Sequence, residues 1–525
     1  MVWKNGRRYV CGVIVGILLL LPAHLHSSNL QGKVNAHWTE AIGDSRTTLS
    51  IQVCIEPPLR RDSPIHHQLW EALRDLHANY ARFQPWRPYP KLAVAELKPP
   101  RDGKTFWDFS YLDPLLVDFM NATSGHPVVI DISTIPQWMF KTDKHVPYPT
   151  DPDEITWKYE QGTKLRDPSM KEVADYWARV ASWYTRGGFK DEYGQRHQSG
   201  YHFKFNYWEV LNEVDQEHQM SPQFYTALYD ATVAAVHKVT PQTKFVGLAL
   251  TPGGAMNPEY FEYFLNHKNH KPGIPLNAIS FHFYAVPAPD ATLATMQHTF
   301  FDQADGFINA VRYIEAIRRR LSPETKTFVD EVGTILPYPR APHLVRPIPD
   351  AYWNLSGAMF AYIYARLAGL GIDVVNEAEL IDYPGQYAGT TLVGWKTGRP
   401  NARYWVLKLL RENFGPGDKL VETQVSLPAP AAAGPWPSQR NYVYAQGFVT
   451  PDGKRKILLV NKRDQSFDLV LPEGKGARVE YVDQTTGFGP PATTTIENDQ
   501  LTLKGLAVAV VTLQPKHRST PSSLN

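Results

Sequence analysis

Short β-branched runs alternate along most of the chain with longer stretches in which apolar residues recur every three or four positions. The runs read as buried strands and the stretches as amphipathic helices, an alternation that builds a parallel sheet with crossover helices. Eight strands are predicted: Leu49–Ile55, Tyr80–Gln84, Pro127–Ser133, Tyr207–Glu213, Phe245–Leu250, Ala278–Tyr284, Thr327–Val332 and Val374–Leu380. Helices are predicted between them at Pro64–Ala78, Lys171–Arg186, Pro222–Val239, Pro258–Asn266, Gly306–Leu321 and Tyr352–Gly369, with a last one over Asn401–Asn413 before Gly415. Ser63-Pro64 and Ser221-Pro222 each set a hydroxyl cap ahead of a proline suited to the first helical turn. Eight strands at this rhythm predict a (β/α)8 (TIM) barrel over residues 48–416. A doubly wound sheet would carry a glycine-rich turn after its first strand, and the chain has none.

From about Lys419 the texture changes. A Pro/Ala/Gly stretch at 428–437 is followed by short alternating runs at Asn441–Phe448, Lys456–Asn461, Phe467–Leu471, Ala477–Val482 and Leu506–Leu513. These predict a C-terminal antiparallel β-sandwich over residues 417–515, with 516–525 as a flexible tail and 29–47 as a lead-in able to add a strand to it.

Residues 1–28 place Lys4, Arg7 and Arg8 before an apolar run from Val10 to Leu21, then Pro22, Ala23 and Ser27-Ser28. This reads as a signal peptide and predicts a secreted or extracytoplasmic chain, with an uncleaved anchor as the alternative. Removing those three cations from 54 basic residues leaves 51 against 52 acidic ones. A balance so near neutral implies no nucleic-acid partner and no stable membrane partner unless the segment is retained. Cys11 lies in the signal segment, so Cys54 is left without a disulfide partner and reads as a buried thiol in an apolar strand. Two glycosylation-type triplets, Asn121-Ala-Thr123 and Asn354-Leu-Ser356, fit export. His66-His67 has no third ligand in view, and no metal or other cofactor is expected.

In a barrel of this type the active site forms at the C-terminal ends of the strands. The fourth predicted strand, YWEVLNE, ends in Asn212-Glu213, and the seventh, TFVDE, ends in Asp330-Glu331. Closure of the barrel can bring such ends face to face. Two opposed glutamates supply what glycosidic cleavage needs: one carboxyl to protonate the leaving oxygen and one to attack the anomeric carbon or activate water. Mutual repulsion in a desolvated cleft would raise the pKa of one of them. Either glutamate alone would read as a solvated loop residue or a salt-bridge partner.

WEVLNEVD (208–215), SFHFY (280–284), FVDEVG (328–333), LVGW (392–395) and GRPNARYWVLKLL (398–410) together resemble the clan of retaining (β/α)8 glycoside hydrolases, and within it family 39, the β-xylosidases and α-L-iduronidases. The resemblance covers most of residues 48–515 and implies hydrolysis of O-glycosidic bonds in oligo- or polysaccharides by double displacement. By motif it makes Glu213 the acid/base, Glu331 the nucleophile and Asn212 the contact to the sugar 2-hydroxyl. It also makes His282 and Tyr284 a pair that orients the nucleophile, and Arg82 the arginine on the nucleophile carboxylate. Val214 stands where the family commonly has proline, and the residues after Glu331 differ from the Glu-Trp of the xylosidases, so the sugar is left open. Trp86, Trp138 and Trp395 are candidates to stack on sugar faces, with core packing as the rival reading. One of Glu377 and Glu379 on the last strand is expected to face the barrel mouth. A catalytically inactive carbohydrate-binding protein on the same scaffold is the alternative function. An ester hydrolase is excluded, since no Gly-x-Ser-x-Gly elbow is present. The oligomeric state is not written in these patterns.

Overall fold

The chain is described by a computed structural model over residues 30–142, 147–157, 164–338, 346–383, 387–427 and 442–515. The predicted signal peptide, the Pro/Ala/Gly stretch and the predicted tail lie outside the described residues.

Eight parallel strands close into a barrel in chain order: Thr48–Ile55, Ala81–Pro85, Val128–Ile130, Tyr207–Glu209, Lys244–Leu250, Ala278–Ala285, Lys326–Thr334 and Val374–Glu377. Each is followed by a helix that covers its outer face, so residues on both faces of a strand are buried and the strands read as near-continuous apolar runs. The helices are His66–Leu76, Leu112–Ala122, Lys171–Thr185, Pro222–Val239, Pro258–Phe264, Leu293–Leu321, Asp350–Leu370 and Ala402–Asn413.

Ser221 caps the fourth of these helices as expected, its side chain accepting from Phe224 N at 3.2 Å. Ser63 does not cap the first; Ser63 and Pro64 form a turn and the helix starts one residue after Ile65. Leu112–Ala122 was not expected, because Pro114 and the short amphipathic run hide its periodicity. Asn354 is buried within Asp350–Leu370, which rules it out as a glycan acceptor in the folded chain.

The barrel interior is layered. Val129, Tyr207, Val246, Ala278, Phe328 and Val374, each near the start of its strand, form an apolar plug with Tyr80 packed against it. Above the plug the inward positions turn polar: Gln52, Arg82, Asp131, Glu209, Ser280 and Asp330 are all buried. The polar layer therefore sits at the strand C-termini, the end on which barrel sites are built.

The second unit is a curled sheet of nine strands, in the order Ala492–Thr495, Arg478–Val482, Val508–Thr512, Arg455–Asn461, Val443–Val449, Lys419–Ser426, Leu30–Asp44, Phe467–Val470, Gln500–Leu503. The N-terminal strand thus enters the C-terminal sheet. It pairs antiparallel with Lys419–Ser426 but parallel with Phe467–Val470, so the sheet is not purely antiparallel. Phe448 joins barrel-side Phe414 at a ring separation of 4.5 Å, tying sheet and barrel into one apolar core. Among the described residues, no helix is long and apolar enough to cross a membrane.

Candidate active site

Strand four stops at Glu209, and the chain beyond it leaves regular geometry, with Leu211 at φ 66° and Glu213 at φ 42°. A left-handed backbone at non-glycine residues is costly and is held by its surroundings. Here Val210 N donates to Val246 O at 3.1 Å and Glu213 N to Ala249 O at 2.8 Å. The next segment is tied as well: Asp215 accepts from Thr251 N at 3.0 Å and from Thr251 Oγ1 at 2.5 Å. Glu213 is therefore placed past the end of its own strand by bonds to the neighbouring strand Lys244–Leu250 and by the Asp215–Thr251 tie.

Strand seven carries Glu331 into the same space. The Glu331 carboxylate accepts from Arg82 at 2.7 Å and from Gln52 Nε2 at 2.7 Å on Oε1, and from Tyr284 Oη at 2.7 Å on Oε2. His282 Nδ1 lies 3.0 Å from Glu213 Oε1 and 3.3 Å from Glu331 Oε2, between the two carboxyls. Glu213, His282 and Glu331 each offer an atom within 4.8 Å of the others.

Arg82 is wholly buried and divides its guanidinium among four acids and an amide. Nε donates to Glu209 at 2.5 Å and lies 3.4 Å from Asp330, while the terminal nitrogens donate to Glu331, to Asp131 at 2.8 Å and to Asn212 Oδ1 at 2.8 Å. The single cation is outnumbered, and the acids divide by environment. Burial and neighbouring acids push Asp131 and Asp330 well above the usual carboxyl range. Burial would also raise Glu209, but Arg82 and the hydroxyl of Ser280 outweigh it and hold Glu209 low.

Glu213 is raised first by burial, then held back by the His282 hydrogen bond, with the Glu331 charge adding to the rise. The rise is therefore mainly a desolvation effect, whereas repulsion between the two glutamates was the expected cause. Burial pulls His282 down, but the charges of Glu331, Asp330 and Glu213 reverse this and push it up to about 10. A ring so protonated donates from both nitrogens, and it lies between the two carboxyls. Cys54, Glu56 and Glu379 form a second set of donor atoms within 4.8 Å of one another. Burial raises the Cys54 thiol well above its ordinary value, which disfavours the thiolate.

These groups open onto a cavity of about 230 Å³, walled by Gln52, Cys54, Gln84, Asn212, Glu213, Tyr284, Glu331, Glu379 and Thr390, with Trp86, Gln216, Pro252, Val286, Ile335 and Tyr387 completing the lining. Trp86 stands 5.9 Å from Tyr387 in a stacked pair and 5.5 Å edge-on from Trp157. Of the two acids expected on the last strand, Glu379 lies two residues past its end, faces the cavity and is pushed up to about 8 by burial and by Asp382 and Glu331. Glu377 instead binds Arg403 at 3.0 Å.

The structure brings together Glu213, Glu331, Asn212, Arg82, His282, Tyr284 and Trp86. Trp138 and Trp395 are not in the cavity lining. Trp138 donates to Glu96 O at 2.9 Å under Arg166, and Trp395 packs edge-on against Tyr383. Unforeseen are Gln52, Gln84, Glu217 and Tyr387. Glu217 is buried against Trp86 and pushed up to about 7, chiefly by desolvation.

No protein-family model and no curated protein sequence matches the chain. Solved structures do. A GH51 arabinofuranosidase from Xanthomonas axonopodis pv. citri superposes with a TM-score of 0.61 at 12% identity, over 93% of this chain and 100% of its own. A GH39 β-xylosidase from Caulobacter crescentus gives 0.55 at 16%, over 93% and 99%. A GH30 endoxylanase from Clostridium papyrosolvens gives 0.53 at 14%, over 92% and 100%. The chain has the fold of these (β/α)8 glycoside hydrolases, barrel and sheet included.

Proposed function

We propose that this chain is an exported, retaining glycoside hydrolase in which Glu331 attacks the anomeric carbon and Glu213 serves as acid/base. The observation that carries the reading is the approach of two differently bonded carboxyls across one cavity, with oxygen atoms inside 4.8 Å. Retaining enzymes hold their carboxyls about 5 to 5.5 Å apart, whereas inverting ones leave about 6.5 to 9.5 Å for a water. Three donors orient the Glu331 carboxyl in the cavity for attack, and burial of Glu213 favours the protonated acid that a leaving oxygen needs.

In the first step Glu331 bonds to the anomeric carbon as the glycosidic bond breaks and the Glu213 proton passes to the departing oxygen. In the second, Glu213 takes a proton from water, the water attacks the same carbon, and Glu331 is released. The remaining N–H of Asn212 is available to the sugar 2-hydroxyl, and Trp86 and Tyr387 offer aromatic faces to the ring.

A screen of aryl xylosides, glucosides, arabinosides, galactosides and uronides, followed by proton NMR of the first-formed sugar, tests the reading. Release of aglycone with net retention is expected. An inverted first product would overturn the mechanism, and binding of sugars without aglycone release would identify a carbohydrate-binding protein.

A further inference from the structure

Glu217 touches two parts of the site that come from different strands, and neither the fold nor the two-carboxylate mechanism explains why an acid should be buried there. Its Oε1 accepts from Trp86 Nε1 at 2.7 Å and from Asn212 Nδ2 at 3.3 Å. Its backbone N donates to Glu213 O at 2.8 Å, so the residue hangs from the acid/base itself. Arg87 Nε, at 3.7 Å, is the nearest cation.

The Asn212 side chain shows what this arrangement accomplishes. A guanidinium can only donate, so Arg82 forces Oδ1 of Asn212 toward itself, where they meet at 2.8 Å. That leaves Nδ2 with two hydrogens. Glu217 accepts one, and the other is left at the cavity that Asn212 lines. Without Glu217 no other described residue fixes the amide plane from the Nδ2 side, and the indole of Trp86 loses its only described hydrogen bond.

We propose that Glu217 is a positioning residue that acts through Asn212 on the sugar 2-hydroxyl and through Trp86 on the aromatic wall, coupling the end of strand four to the end of strand two. This rests on the glycosidase reading above, and its Asn212 arm predicts a loss that is much larger on substrates carrying a 2-hydroxyl than on those lacking one, where only the Trp86 arm is felt. A displacement on the order of 1 Å in a positioning group costs up to about a hundredfold in rate.

The test uses the full chain with an aryl glycoside it cleaves and the matching 2-deoxy glycoside. Glu217→Ala is expected to lower kcat/KM by about 10- to 100-fold on the 2-hydroxy substrate and by less than about 3-fold on the 2-deoxy one. Glu217→Gln, whose Oε1 still accepts from both partners, is expected to recover most of the loss. In an Asn212→Ala background, Glu217→Ala should add little further loss on the 2-hydroxy substrate. Should Glu217→Ala fail to fold, Glu217→Asp, too short to reach both donors, takes its place with the same selective loss. Equal losses on both substrates, or no loss with the wild type active, would overturn the proposal and leave the two-glutamate reading standing. A wild type that releases no aglycone from any substrate would overturn both.

Discussion

The two glutamates differ in what surrounds them, and the difference sets what each substitution should do. Glu331 accepts three hydrogen bonds, from Gln52, Arg82 and Tyr284, and its removal deletes the attacking atom. Glu331→Gly should therefore abolish turnover and be rescued by azide, giving a glycosyl azide of inverted configuration; a product of retained configuration would exchange the roles of the two acids. Glu213 donates a proton only where the leaving oxygen needs one. Glu213→Gln is expected to cost about 10² to 10⁴ in kcat for alkyl or sugar leaving groups and far less in bond cleavage for a dinitrophenyl one. A loss independent of leaving group, read from a series of aryl glycosides, would remove Glu213 from the acid role. Arg82 poses a different question, because it is fully buried and matched against Glu209, Asp131, Asp330 and Glu331. Breaking such a network by removing one partner costs about 3 to 5 kcal/mol. Arg82→Ala should show that loss in urea unfolding as well as in activity.

At the scale of elements, the site depends on loop ends that pair with each other. Thr251 Oγ1 accepts from Gly254 N at 3.0 Å, and the Asp215 carboxylate binds Thr251 in turn. A Cβ built on Gly254 would fall 2.4 Å from Asp215 Oδ2. Gly254→Ala must push Asp215 away, and overpacking of this kind costs about 1 to 3 kcal/mol. The expected result is a lowered Tm together with a lowered kcat, because Glu213 and Asp215 share one turn. An unchanged Tm would mean that the Asp215–Thr251 tie bears little strain.

How much of this was legible varies with the signal. The eight strands were readable because a barrel strand buried on both faces is a continuous apolar run. Arg82 and Gln84, like Gln52 and Cys54, alternate on the inward face, and a polar residue every second position in such a run was the overlooked sign of the site. Strand four was expected to reach Glu213 because VLNE continues the apolar pattern, but pattern says nothing of the left-handed turns at Leu211 and Glu213. Trp138 and Trp395 were candidates by loop position alone, and the rival reading of packing matches where they lie. Glu217 could not have been found by spacing, since its partner Trp86 comes from another strand.

Across the whole molecule, acids retained in low-dielectric surroundings make stability depend on pH in one direction. Burial raises Glu379 and Glu96 to about 8, Glu377 and Glu217 to about 7 and Asp382 to about 6. Each of these binds its proton more tightly in the folded chain than in the unfolded one, where carboxyls titrate near 4. Their contribution is fully present below about pH 4 and is lost as pH rises through the folded values. His282 behaves with the same sign at higher pH, its contribution complete below about 6.5 and lost as pH rises through about 10. Asp75, Asp118 and Glu209, held low by their partners, act oppositely, but their contribution fades only below the ordinary carboxyl range. Between about pH 5 and 8 the raised carboxyls therefore dominate, and Tm should fall across that window; above it Lys462, pulled down to about 8 by burial, acts in the opposite direction. The mechanism sharpens the expectation, because Glu379 and Glu217 line or support the cavity. Glu379→Gln, which keeps the shape of the protonated acid, should flatten the decline near pH 8 in calorimetric scans. A Tm that rises from pH 5 to 8 would show that the buried acids are solvated or paired in a way that reverses the sign.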